Sequence, residues 1–258
     1  MEKAEIQYLA QNLFEAKNHA RPLAQLSRSL PSFTRSDAYS IQEEQLRLHL
    51  QRGTVQRGWK MGLTSEAKRR QMNLDAPLYG FLLNNMEVRS LFSLKGTIHP
   101  KIEPELAFEF SKDLSFPCTR SDVEQALLTA YPALEILDSR YDQFKYFSME
   151  DVIADNSSSS HFVLGAPVRN FKGMAWDQLA VKMSAGTEVR EGRTDAVSGH
   201  PFNSVVELCE LLSHRGQSLR AGQLVLTGAI TTAVDLAAGI AVQLNIQGFE
   251  PISLRVEA

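Results

Sequence analysis

Four side chains in this sequence have the types and spacing to do chemistry: Lys60, Glu103, Glu105 and Glu135. Two of them fall in KIEPELAFEF (101–110). Read as a strand, this stretch puts Ile102, Pro104, Leu106, Phe108 and Phe110 on one side. Lys101, Glu103, Glu105, Ala107 and Glu109 then share the other. An amphipathic strand with its acids in solvent satisfies the pattern. So does a half-site for a hard cation: same-face carboxylates repel unless a cation lies between them, and oxygen donors suit Mg²⁺ or Mn²⁺. Pro104 cannot donate to a ladder, which predicts an edge or a bulge there.

Glu135 lies in YPALEILD (131–138), a carboxylate inside an otherwise apolar strand. A charge there is costly unless it is paired or bound to metal, and Arg140 is the candidate partner in sequence. Lys60, in GWKMG (58–62), is either an exposed strand residue or a cation aimed into a pocket. Thr64 and Ser65, just after it, could cap or bind. Asp155, Asn156 and the four serines at 157–160 read as a loop, and Thr227-Gly228 as a turn. His99, His161, His200 and His214 show no ligand spacing.

The elements that must position these residues change character along the chain. Ile6, Leu9, Leu13 and Phe14 recur at helical spacing, and Thr34 with Asp37 forms a capping box opening a second helix. From Gly53 the texture shifts to short segments that suit strands: GWKMGLTS (58–65), IEPELAFEF (102–110), PALEILD (132–138), HFVLG (161–165), QLVLTG (223–228) and AVQLNIQG (241–248). Two further helices are expected, opened by Ser121 with Glu124 and by Ser204 with Glu207. No internal repeat or linker divides the chain. The expectation is one α+β domain over 1–258, a helical segment (1–52) packed on a β-rich catalytic core (53–258).

Composition sets the outer bounds. A chain of 258 residues with 43% hydrophobic and 22% charged residues can bury a full core. The net charge of -3, with no long run of either sign, argues against nucleic acid and membrane as partners. Cys118 and Cys209 stand alone, which excludes a disulfide scaffold and a zinc site. The first 20 residues lack the apolar core of a secretion signal, and no window has the roughly 18–20 apolar residues of a membrane span, so a cytoplasmic location is expected.

Together these segments resemble the fumarylacetoacetate hydrolase superfamily, in its hydratase/decarboxylase branch. The likeness is carried by DAY and IQ within 37–42, GWKMGLTS (58–65), PLYGFLLNNM (77–86) and HPKIEPELAF (99–108). It continues through PALEILDSRY (132–141), IADNSSSSHFVLG (153–165), GHP (199–201) and AGQLVLTGAIT (221–231). The resemblance implies a mixed β-roll fold of the family's C-terminal-domain type with one Mg²⁺ or Mn²⁺. Glu103, Glu105 and Glu135 fall on the family's metal acids, and Lys60 on its pocket lysine. The resemblance further implies catalytic work for Lys60 and Glu105. Substrate contacts would come from Lys60, Leu63, Thr64, Leu78, Ser157 and Thr227.

Leu78 bears on the branch. Hydratases of this group look like P-D-[YF]-G where this chain reads PLYG (77–80), and leucine cannot move a proton. With EILDSRYDQFKY (135–146), this favours decarboxylation of a 2-oxo-3-enoic diacid. Departures near the C-terminus, Gly239-Ile240 and GFEP (248–251), bear on turn geometry. Lys60 would neutralise a carboxylate or a developing enolate, or donate a proton. Hydration of a dienoate is the alternative, and an inactive scaffold for a sister hydratase a further one. A partnership with that hydratase is implied, and a homo-oligomer is expected.

Overall fold

The structure is a computed structural model that describes residues 1–65, 69, 76–142, 144 and 148–258. Gln143, Lys145 and Tyr146, part of the 135–146 run, lie outside the described residues.

Helix α1 (Lys3–Asn18) turns Ala10, Leu13, Phe14 and Ala16 inward. Helix α2 (Arg35–Gln51) opens where the sequence says it should, on a reciprocal cap between Thr34 and Asp37. Its inner face mixes Ala38 and Ile41 with two glutamines, Gln42 and Gln45. These are not orphaned. Gln42 Nε2 donates to the Tyr79 and Ile153 carbonyls at 3.0 and 2.9 Å, and Gln45 Nε2 to Ala154 O at 2.7 Å. The helical segment is thus tied through main-chain acceptors to the strand that carries Tyr79 and to the helix Met149–Ala154, which fixes its register more tightly than apolar contact alone.

The remaining chain forms two mixed sheets. The larger has eight strands, in the order β2 (Leu78–Leu83), β1 (Gln56–Gly62), β10 (Leu224–Leu226), β5 (Lys101–Phe110), β6 (Leu127–Leu137), β7 (Ser159–Leu164) and β3 (Glu87–Val88). Its eighth strand, β11 (Val234–Asp235), also pairs with β5. The smaller runs β4 (Leu91–Ser93), β13 (Ile252–Glu257), β12 (Ala241–Ile246), β8 (Ala180–Ala185) and β9 (Glu188–Arg193). Between them lies the main hydrophobic cluster, which includes Phe108, Phe162, Trp176, Met183 and Leu244. A second cluster joins α1 and α2 to Leu78, Tyr141 and helix α4 (Met149–Ala154).

Three local expectations shift. Helix α3 (Arg120–Ala126) is capped by Thr119 with Asp122 rather than by Ser121, and the chain passes from it directly into β6. Helix α5 (Pro201–Ser213) starts one turn earlier than Ser204, with His200 Nδ1 accepting from Phe202 N–H and proline at the first position. Ser204 instead donates from inside the helix to Thr227 O at 2.6 Å. Pro104 sits on a central strand and not at an edge. Its carbonyl accepts from Ile230 N–H at 3.0 Å, so its missing N–H faces residues 227–233, where β10 has ended and β11 has not begun.

Candidate active site

Strand β5 presents Glu103 and Glu105 on one face, and the register places Glu135 of β6 opposite Glu103. All three acids are buried, Glu105 and Glu135 completely. One carboxylate oxygen from each lies within 4.8 Å of the others. The acids-in-solvent reading of β5 therefore does not hold for Glu103 and Glu105.

Glu135 is paired with Lys60, not Arg140. Lys60 Nζ lies 2.9 Å from Glu135 Oε2 and donates to Ser157 Oγ and Ser157 O at 3.2 and 3.4 Å. Arg140 faces Asp155 at 3.5 Å. In the strand order, β1 and β6 are separated by β10 and β5. Neighbouring strands lie about 4.8 Å apart, so in a flat sheet Lys60 and Glu135 could not meet. Their contact requires the sheet to curl around the site.

The second oxygen of Glu135 accepts from Ser159 Oγ at 3.0 Å. Glu105 Oε2 accepts from the Gly228 main-chain N–H at 2.8 Å, whereas its Oε1 has no hydrogen-bond partner among the described residues. Gly228 adopts φ 115° directly against Thr64, where an added Cβ would lie 2.3 Å from Thr64 Oγ1, so only glycine brings this N–H to Glu105.

The electrostatics follow from crowding. Burial pushes the Glu105 pKa well above the usual carboxylate range, and Glu135 and Glu103 push it further. Lys60 and the Gly228 N–H only partly oppose this. For Lys60 burial acts to lower the pKa, but Glu135, Glu105 and Glu103 outweigh it and leave it raised. Lys60 is a fixed ammonium here. Ionisation of all three acids against one ammonium would leave two uncompensated negative charges, and this repulsion holds Glu105 back from ionising. A divalent cation balances them, and the oxygen donors together with the unpartnered Glu105 Oε1 fit Mg²⁺ or Mn²⁺.

A cavity of about 150 Å³ opens over these groups. Of the residues expected from sequence, Lys60, Leu63, Thr64, Glu103 and Ser157 line it. Glu105 and Glu135 lie beneath. Leu78 and Thr227 do not line it: Leu78 belongs to the second apolar cluster behind Gly62 and Ser157, and the Thr227 hydroxyl donates to Leu106 O at 3.0 Å. The sequence reading passed over Lys101, Phe144 and the apolar wall of Leu137, Val152, Ala229 and Ala233. Ser159, within the serine run at 157–160, meets Glu135, while the Gly228 amide was missed, because it contacts the site through its backbone and has no side chain to give it away.

With this geometry in view, the comparisons decide the lineage. The fumarylacetoacetate (FAA) hydrolase C-terminal family matches residues 86–257. The chain belongs to the fumarylacetoacetate hydrolase family. Within it, the chain is 37% identical to 4-oxalocrotonate decarboxylase of Pseudomonas putida, over 99% of this chain and 98% of the relative. It is 33% identical to 2-keto-4-pentenoate hydratase of Paraburkholderia xenovorans (strain LB400), over 96% and 94%. The solved structure of 4-oxalocrotonate decarboxylase from Pseudomonas putida G7, complexed with magnesium and adipate, superposes with a TM-score of 0.95 at 35% identity, covering 99% of this chain and 98% of that one. The mixed sheets of this chain are therefore the family's fold. Among the described residues, no helix is long and apolar enough to cross a membrane.

Proposed function

We propose that this chain is a metal-dependent decarboxylase of 4-oxalocrotonate (2-oxo-3-hexenedioate), yielding 2-hydroxypenta-2,4-dienoate and CO₂. One observation carries the reading: three buried carboxylates converge within 4.8 Å beneath a cavity that the Lys60 ammonium also lines, 2.9 Å from Glu135. That arrangement suits a 2-oxo acid held through a cation. The likeness to decarboxylases of that name supports the choice of substrate.

Glu103, Glu105 and Glu135 would hold Mg²⁺ or Mn²⁺, which supplies a Lewis acid against the 2-oxo acid end of the substrate. When the far carboxylate leaves as CO₂, its electron pair forms C4=C5, the C3=C4 pair moves to C2=C3, and charge collects on the C2 oxygen. Lys60, held protonated and aimed by Ser157 and Glu135, places a positive charge beside it. Glu105, anchored by Gly228, keeps the acid cluster in place. Leu63 and Thr64 shape the wall, while Leu78 and Thr227 act from behind it. The apolar wall excludes water from the dienol. We further propose that the protein acts in the cytoplasm, as a homo-oligomer. It would hand its product to a hydratase, because 2-keto-4-pentenoate is the keto form of that product.

The test is CO₂ release from 2-oxo-3-hexenedioate by purified protein with Mg²⁺, with product identity followed by mass. Release that depends on metal and vanishes in Glu103→Gln and Glu135→Gln is the expected result. Water addition to 2-hydroxypenta-2,4-dienoate without CO₂ release would move the chain to the hydratase reading.

A further inference from the structure

The acid cluster and Lys60 account for one end of a diacid and leave the other carboxylate without a partner. Among the described residues lining the cavity, Lys60 and Lys101 are the two cations. Lys101 shares a face of β5 with Glu103, two residues on, which sets their side chains roughly 6–7 Å apart along the strand. That matches the span of an extended six-carbon diacid. Much of the wall is apolar, formed by Leu63, Leu137, Val152, Ala229 and Ala233, and beside Lys60, Lys101 and Glu103 its polar side chains among the described residues are the uncharged hydroxyls of Thr64, Ser65 and Ser157.

Lys101 stands at the mouth, with its side chain 28% exposed and its ammonium 5.3 Å from the centre of the Phe144 ring. Its ion-pair partner, Asp235, is 81% exposed. Exposed pairs of this kind contribute little, so exchanging Asp235 for a substrate carboxylate costs little. Lys60, in contrast, is buried and committed to Glu135 and Ser157.

We propose that Lys101 is the specificity-determining residue for the distal carboxylate, with Asp235 its resident counter-ion displaced when a diacid enters. The proposal rests on the 2-oxo-diacid reading above. A cation at the departing carboxylate favours the ground state over the transition state, in which that charge has moved towards the C2 oxygen, so Lys101 acts on KM and its loss does not lower kcat.

The test compares 2-oxohexanedioate with 2-oxohexanoate, identical but for the distal carboxylate, by calorimetric binding to the Mg²⁺-loaded protein. The native chain is expected to bind the diacid at least about ten-fold tighter, Lys101→Met to lose that preference with 2-oxohexanoate binding unchanged, and Lys101→Arg to keep it. Asp235→Asn is expected to tighten the diacid alone, about two-fold. In turnover, Lys101→Met is expected to raise KM with kcat retained. Equal binding of both acids by the native chain, or a preference that survives Lys101→Met, overturns the assignment and leaves the 2-oxo-acid site standing. Failure of the native chain to bind either acid in the presence of Mg²⁺ overturns both.

Discussion

The side chain of Asn156 pairs with the main chain of Phe81 as an adjacent strand would, accepting from its N–H at 2.8 Å and donating to its carbonyl at 3.1 Å. This contact holds a strained turn. Asn156, Ser157 and Ser158 are consecutive non-glycine residues with φ of 50°, 54° and 54°. Such residues cost of the order of 1 kcal/mol each and persist only where surroundings over-determine them. Here the surroundings include Asp155, which accepts from Ser158 Oγ at 2.9 Å, and Arg140, which donates to Asp155 O at 2.8 Å and Ser159 O at 3.0 Å. The turn delivers Ser157 to Lys60.

Asn156→Ala removes both bonds to Phe81 and the residue type that best tolerates this backbone. A loss of about 2–4 kcal/mol in urea unfolding is expected. Gly80→Ala attacks the same contact from the other side, since its Cβ would lie 2.7 Å from Asn156 O. The double variant is therefore expected to cost less than the sum of the singles. Additivity would show the two residues to be uncoupled.

The acid cluster predicts opposite effects with and without metal. Glu105→Gln removes a carboxylate that Glu103 and Glu135 repel, so in chelator the variant is expected to melt at or above the native chain. With Mg²⁺ the order reverses: the native chain gains stability by binding, and the variant gains little or none. Differential scanning calorimetry with EDTA and with millimolar Mg²⁺ decides it. An equal Mg²⁺-induced rise in both proteins would show that Glu105 holds no cation.

What the sequence made legible was local. Thr34 and Asp37 announced their helix because a capping box needs no other part of the chain. Strand β5 was readable from alternation, and its acids from their shared face. Ser204 misled because its hydroxyl answers to Thr227, 23 residues away in sequence. Pro104 misled because a central strand can carry proline where its neighbour is interrupted, which no pattern within 101–110 reveals. The Lys60–Glu135 pair depends on the curl of a whole sheet, so each residue was singled out but their meeting was not. Strands β8 and β13 alternate cleanly between exposed and buried, and a stricter count of period-two patterning would have found them.

Lys17 gives a pH dependence remote from the acid cluster. Burial, reinforced by Arg140, lowers its pKa to about 7, against the attraction of Asp138 and Asp155, and its Nζ reaches Ser160 O only at 3.5 Å. Between pH 7 and the ordinary lysine value of 10.5, the unfolded chain holds this proton and the folded chain has released it. The unfolded state binds more protons in that window, so stability rises with pH across it. Lys17→Met is expected to exceed the native chain in stability at pH 7, with the gain shrinking towards pH 10. Urea midpoints for both proteins between these limits test it. A gain that stays constant with pH would assign it to packing alone.

The proposed decarboxylase reading takes part of its support from Leu78, which stands where the hydratases that this chain resembles carry an aspartate. Leu78 is fully buried, and its Cδ1 lies 2.9 Å from where a Cβ on Gly62 would be, next to Ser157 Oγ at 2.6 Å from the same point. A carboxylate placed there would sit one atomic layer behind the cavity wall, desolvated and with a raised pKa, which is the state a proton donor requires. Leu78→Asp is expected to lose about 2–4 kcal/mol of stability and at least about ten-fold in CO₂ release, because it replaces a filled apolar space with a polar group. Leu78→Met, which conserves volume, is expected to cost under about 1.5 kcal/mol and to retain activity. Leu78→Asn matches the shape of aspartate without its acid. Water addition to 2-hydroxypenta-2,4-dienoate gained by the Asp variant and not by the Asn variant would show that the native leucine keeps hydration out. The same addition by the unaltered chain would show that water is activated elsewhere, and the decarboxylase reading would lose the support it takes from Leu78.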